Sequence, residues 1–195
     1  MNKRSILITL AVLVLIAVTL ACGESTPEVR TPGIATERPA STPTTAPLGS
    51  SRSNPAPAGS EVIISDITIK VGEVTRPADD IVAAGNMFNS APEIGNEYIM
   101  VTVSVVCNKS SDATCQLSCL DFKLTGSSGS IHDAEMMMTG VAGLLPDLNN
   151  REFFGGSTTT GGMIFEVVQG ETDLVLIYKP WIDILDGSEV YLAIE

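Results

Sequence analysis

Cys22, Cys107, Cys115, Cys119 and the lone histidine, His132, carry most of the chemistry open to this chain of 195 residues. A thiolate can be a nucleophile, a metal ligand or half of a disulfide. With one imidazole, any mechanism that needs two is excluded, and a Ser-His-Asp triad would have to use His132. That residue stands beside Asp133, an arrangement more typical of a surface pair than of a base and its orienting partner. The spacing C-x7-C-x3-C lacks the paired C-x2-C knuckles of a zinc site, so a disulfide with one thiol left over is expected instead. No G-x-S-x-G, S-x-x-K, H-E-x-x-H or G-x-x-x-x-G-K is present. Asp79 with Asp80, and Asp183, Asp186 and Glu189 around Gly187, are the acidic groups to weigh for carboxylate or calcium chemistry. Adjacent loop acids are usually solvated, and the calcium-loop pattern of a helix-loop-helix hand is absent. No catalytic, cofactor-binding or metal-ligating residue is therefore expected.

Cys22 belongs to a different chemistry. Lys3 and Arg4 precede an apolar run from Ile6 to Ala21, and the cysteine follows at once. A basic start, an apolar stretch and small residues before a cut are the parts of an export signal, with Thr19 and Ala21 small enough for the cleavage pocket. Thr19-Leu20-Ala21-Cys22 resembles a bacterial lipobox, with threonine where leucine is commoner. The resemblance implies removal of residues 1–21 and lipidation of Cys22. Cleavage without lipid and an uncleaved anchor are the competing readings, but the run of 16 residues is short of the roughly 20 that span a bilayer. One acyl chain binds a membrane marginally, while two or more hold it stably. The expected location is the cell membrane, with the chain lipid-anchored on the extracytoplasmic side.

Removing Lys3 and Arg4 from the 11 basic residues leaves nine against 23 acidic, a net charge of −14. Nucleic acid is excluded as a partner, because Lys70, Arg76, Lys109, Lys123, Arg151 and Lys179 are scattered singly and form no basic stripe. From Gly23 to Ser60 the composition turns to Pro, Thr, Ser, Ala and Gly, with too little apolar content to offset the entropy of ordering. Residues 22–60 are expected to form a disordered stalk, about 35 Å end to end as a coil. Residues 61–195 then make one domain, long enough for a core of its own.

The pattern in that domain is strand-like. Ile99, Val101, Val103, Val105 and Cys107 alternate with Met100, Thr102 and Ser104, as in a half-buried strand. Val62 and Ile64, then Ile67, Ile69 and Val71, alternate across a slip at Ser65-Asp66. Further strands are expected at Gln116 to Thr125, Ser130 to Asp133, Gly162 to Val168, Asp173 to Lys179 and Ser188 to Ile194, separated by glycine-bearing turns. Ala134 to Asn150, with Met136, Met137 and Met138, has room for a short helix. Short strands without alternating long helices argue for an all-β, antiparallel sandwich. Cys107 closes one of these strands and Cys115 opens the next, so a bridge across the loop Asn108 to Thr114 is expected, at about 2–3 kcal/mol on loop entropy. Cys119 is the alternative partner of Cys107; Cys115 with Cys119 would span about 13 Å along a strand, beyond disulfide reach.

Asn96-Glu97-Tyr98-Ile99-Met100-Val101-Thr102-Val103, Leu120-Asp121-Phe122-Lys123-Leu124, Phe153-Phe154-Gly155-Gly156-Ser157, Gly161-Gly162-Met163-Ile164-Phe165-Glu166-Val167 and Leu174-Val175-Leu176-Ile177-Tyr178 resemble, in order, the exported bacterial domain-of-unknown-function family 4352. The resemblance implies a telokin-like, immunoglobulin-like β-sandwich and brings no established activity.

Signal, stalk and sandwich together make a membrane-tethered binding or interaction module, not an enzyme, with a protein or small ligand of the cell envelope as partner. The alternative is an accessory hydrolase-like or calcium-dependent activity on acidic loops. Trp181, Tyr178, Tyr191 and Tyr98 are the aromatic candidates for a carbohydrate platform, Met136 to Met138 for an adaptable apolar surface, and an exposed sheet edge for assembly.

Overall fold

A computed structural model describes residues 28–30, 46–146, 151–180 and 189–195, so Cys22, Trp181, Asp183, Asp186 and Gly187 lie outside the described residues. The longest alternating segment becomes the longest strand, β4 (Asn96–Cys107), with Ile99, Val101, Val103, Val105 and Cys107 fully buried on one face. It pairs antiparallel with β3 (Ile67–Thr75) on one side and β9 (Thr158–Val168) on the other. Ser65-Asp66 is a two-residue turn joining β2 (Glu61–Ile64) to β3, with Ser65 at φ 48°. A short strand, β1 (Glu28–Arg30), adds to β2, completing a sheet of order β1-β2-β3-β4-β9.

The facing sheet has the order β11-β10-β6-β7, from β6 (Phe122–Thr125), β7 (Ile131–Asp133), β10 (Val175–Tyr178) and β11 (Val190–Ala193). Val62, Ile69, Val103 and Phe165 from the first sheet meet Phe122, Leu124, Leu176 and Leu192 from the second in one core. All named strand pairs are antiparallel, as the alternation predicts. Gly161 is required in β9 because a Cβ there would lie 2.4 Å from Leu145 Cδ2. Leu145 crosses that point as its N–H donates to Gly162 O at 2.9 Å.

Four local expectations change. The stretch 116–125 is two strands, because Ser118 and Asp121 form a capping box: Leu120 N donates to Ser118 Oγ, and Ser118 N donates to Asp121 Oδ2 at 2.8 Å. This 3₁₀ turn at Cys119–Asp121 sends β5 (Thr114–Leu117) to a separate two-stranded sheet with β8 (Arg151–Phe154), while β6 enters the sandwich. A helix does form, but not at 134–146; it is α1 (Asp79–Gly85), where the sequence reading placed no element. Residues 134–135 and 143–145 instead run along the outer edge of β9, through Glu135 N to Ile164 O and Gly162 N to Gly143 O. That edge is therefore covered between Gly162 and Phe165.

The stalk also ends earlier than composition indicates. Ala56 is fully buried, its N–H donates to Tyr191 O at 2.8 Å, and its carbonyl accepts from Ala193 N at 2.8 Å, so this segment edges β11. Tyr191 N likewise donates to Gly49 O. Small residues fit this close approach, since a Cβ on Gly49 would sit 2.9 Å from Val190 Cγ2. Low apolar content rules out a separate core, but it does not stop a segment from hydrogen bonding along an existing sheet edge. No helix among the described residues is long and apolar enough to cross a membrane.

Candidate functional site

Cys107 at the end of β4 and Cys115 in β5 form the disulfide, with their Cα atoms 5.7 Å apart. It is not a hairpin staple, because β5 pairs with β8 and not with β4. The bridge ties the two-stranded sheet to the sandwich. Cys119 lies buried on the 3₁₀ turn, outside the bridge. Among the described residues no group of three or more His, Cys, Asp or Glu side chains is arranged to hold a metal ion.

His132 points away from its neighbour. Asp133 pairs with Lys123, whereas His132 Nε2 faces Glu171 Oε2 at 3.3 Å, with the Glu171 side chain only 1% exposed. The other oxygen, Oε1, accepts from Ser128 Oγ at 2.5 Å and from Ser128 N at 3.1 Å. Serine, carboxylate and imidazole are thus together, but in the wrong order for nucleophilic catalysis, which needs the imidazole against the hydroxyl. Burial opposes ionisation of Glu171, yet the Ser128 hydrogen bonds and the nearby His132 outweigh it and hold its carboxyl below the ordinary value of 4.5. A carboxylate held in that direction is a weak base.

A second charged group adjoins it. Arg76 donates from Nε and Nη2 to Glu97 Oε1, at 3.0 and 2.7 Å, and from Nη1 to the Glu171 carbonyl at 2.6 Å. Gly170 N also donates to Glu97 Oε1, at 2.9 Å. Burial pushes Glu97 up, but the Arg76 and Gly170 hydrogen bonds and the Arg76 charge win, and its carboxyl lies below the ordinary value. This clamp joins the end of β3, the start of β4 and the turn between β9 and β10. The sequence reading missed it, since its members come together only through sheet register.

The remaining candidates separate. Asp79 is in the first turn of α1, where its Oδ1 accepts from Tyr98 N at 2.7 Å, so it ties the helix to β4, and Asp80 is the exposed member of the pair. Glu189 binds Tyr191 through its hydroxyl and pairs with Lys179. Tyr98 and Tyr178 are buried, the latter against Phe122 with ring centroids 5.2 Å apart, so neither presents a platform. Of the methionine run, Met137 is 85% exposed, Met136 is partly exposed and Met138 packs inward. An open groove of 790 Å³ is lined by Arg52, Asp173, Leu174 and Glu195, and another of 400 Å³ by Phe122, Lys123, Met136 and Lys179. His132 lines neither groove.

Comparison with solved structures finds low-identity likeness. A candidate lipoprotein, ycdA of Bacillus subtilis, is 16% identical at a TM-score of 0.44, over 60% of this chain and 32% of its own. This chain therefore spans about a third of that relative. The secreted protein MPT63 of Mycobacterium tuberculosis is 13% identical at a TM-score of 0.49, over 71% and 97% of the two chains. The yjhA protein of Bacillus subtilis is 11% identical at 0.48, over 71% and 98%. No curated protein matches. The profile of one family matches residues 56–188, from the buried Ala56 through the whole run of sandwich strands up to the edge of β11, and the chain belongs to that family, a domain of unknown function (DUF4352).

Proposed function

We propose that this chain is a non-catalytic binding module, tethered on the extracytoplasmic side of the cell membrane through lipid on Cys22. The observation that carries the reading is the Cys107–Cys115 disulfide in the folded domain, since structural disulfides persist in oxidising compartments and not in a reducing cytosol. It agrees with the export signal that ends at Cys22. The non-catalytic part is supported by His132, the lone imidazole, which faces a buried carboxylate instead of a nucleophile. The acidic side chains split between the bond from Asp79 to the β4 backbone, the clamp and ion pairs.

The direct test is mass spectrometry of the chain recovered from its native cells, combined with crosslinking in intact cells. A diacylglycerol-modified Cys22 as first residue, a Cys107–Cys115 bridge and a specific crosslinked partner are expected. An unmodified Cys22 thiol overturns the tether, and reduced Cys107 and Cys115 overturn the compartment.

A further inference from the structure

Beside its main core, the five-stranded sheet carries a second, smaller one on its outer face. Ala78, Val82, Tyr98 and Ile164 are buried there, with Met100, Met138, Val141 and Leu144 packed against them. Above this small core, the described surface is unusually apolar: Met87 is 86% exposed, Phe88 85%, Met137 85% and Ile94 fully so. Large side chains in that state on a soluble domain mark contact sites more often than chance, when they are contiguous.

The turn that presents them is fixed. Asn86 Oδ1 accepts from Phe88 N at 3.0 Å, and Asn86 Nδ2 donates to Thr139 Oγ1 at 2.8 Å. Asn89 Nδ2 donates to Val82 O and Thr139 O, while its Oδ1 accepts from Thr139 N at 3.0 Å. These bonds staple the 86–89 turn to Thr139, the residue that follows the methionine run. Gly140 sits at φ 73°, where a Cβ would be 2.1 Å from Gly85 O, so the two segments touch backbone to backbone. A surface ordered before contact loses less entropy on binding, and fully exposed Met and Phe can become buried anchors.

The two chain segments that form this cap carry charge of one sign. Residues 77–95 and 134–146 contain Asp79, Asp80, Glu93 and Glu135 and no lysine or arginine. Glu166 of β9 faces the same area, accepting from Glu93 N at 2.7 Å. Burial, and then the Glu166 charge, push the Glu135 carboxyl up, which is the direction of an acid without a cation beside it. An anionic bilayer would be repelled here, whereas a basic surface would be drawn.

We propose that this cap docks a cationic amphipathic segment of a partner protein, whose apolar residues seat on Met87, Phe88 and Met137 while its lysines or arginines meet Asp80, Glu93 and Glu135. The proposal rests on the binding-module reading and adds the surface and the chemistry of the partner. The two grooves are lined by apolar side chains as well, but their charged residues are of both signs, Arg52 with Asp173 and Glu195 in one and Lys123 and Lys179 with Asp133 in the other, so neither has a single-sign rim.

The test titrates the full chain with a labelled synthetic Lys/Leu amphipathic helix, a Lys/Ser peptide of equal charge and a Glu/Leu peptide. The Lys/Leu peptide is expected to bind about 10-fold or more tightly than either control. Met87→Ser with Phe88→Ser is expected to weaken it about 10-fold with the melting temperature unchanged, because both side chains are solvent-exposed. Asp80→Asn with Glu93→Gln is expected to weaken it several-fold and flatten its salt dependence. Absence of saturable binding, equal binding of the Glu/Leu peptide, or full binding by the Met87/Phe88 variant overturns the proposal. So does loss, in that variant, of flotation with phosphatidylglycerol vesicles while peptide binding persists, which assigns the cap to lipid. The peptides are soluble, so failure here leaves the tether standing, and an unmodified Cys22 leaves the cap standing.

Discussion

Reducing the Cys107–Cys115 bridge tests the fold where two sheets are covalently joined. The linked positions are 8 residues apart, for which the chain-entropy account gives about 2.5 kcal/mol. The two-stranded sheet also holds to the domain through the buried Leu117 and Cys115, the half-buried Phe153, and Arg151 Nη1, which donates to Thr160 O at 3.0 Å. For a domain of this size, about 2.5 kcal/mol corresponds to roughly 6–10 °C in melting temperature. Calorimetry of the native chain with and without reductant should show that drop. Cys107→Ala with Cys115→Ala should melt as low or lower, since the sulfurs also fill buried space, and should not respond to reductant. Cys119→Ala should keep the reductant-sensitive step. A drop under about 2 °C on reduction, or a double variant still sensitive to reductant, would refute the linkage between bridge and stability.

Two further predictions concern the carboxylates. Glu97 and Glu171 both have folded-state values below the ordinary 4.5, so their contribution is fully present above that pH and is lost as pH falls through the depressed values. Acid unfolding followed by circular dichroism should therefore steepen below about pH 4.5, and Glu97→Gln should lower stability at pH 7 while flattening that acid limb; an unchanged limb would sink the clamp's role. Glu135 has the opposite sign: burial first, then Glu166, raise its value, so ionisation costs stability above that value. Glu135→Gln should raise the melting temperature at pH 7 by a degree or two, with the gain fading in acid; a loss at pH 7 would show a stabilising partner for its charge.

Alternation over five positions made β4 legible, because from Ile99 to Cys107 fully buried residues alternate with half-exposed ones and a one-residue slip would invert them. The bridge was legible for a related reason: Cys107 lies on the core face of β4 and Cys115 follows after a loop too short to carry it far. What sequence reading lost was non-local. The Arg76 bond to the Glu171 carbonyl spans 95 positions and exists only because β3, β4 and β9 are in register. Helix α1 has seven residues, too short to form on propensity, and it holds through Val82 against the outer face of the sheet. Ala56 and Gly49 carry no periodicity at all; their place is set by the edge of β11. Ser118 and Asp121 have the spacing of a capping box, and that turn breaks the single strand expected over 116–125.

The clamp and the cap are parts of one construction. Arg76 is held by Glu97, and two residues later Ala78 N donates to Tyr98 O at 2.7 Å while Asp79 Oδ1 accepts from Tyr98 N. The chain thus enters α1 held by bonds to Glu97 and Tyr98 of β4, and leaves it into the turn that Asn86 and Asn89 staple to Thr139. Every one of those bonds uses backbone atoms or the side chains of Arg, Asp, Asn, Glu and Thr. None uses the side chains of Met87 or Phe88. Polar residues at those two positions would leave each bond in place, so the fold does not depend on what Met87 and Phe88 present. Their large accessible apolar area is separable from stability, and a loss of peptide binding without a loss of melting temperature can then be traced to contact alone.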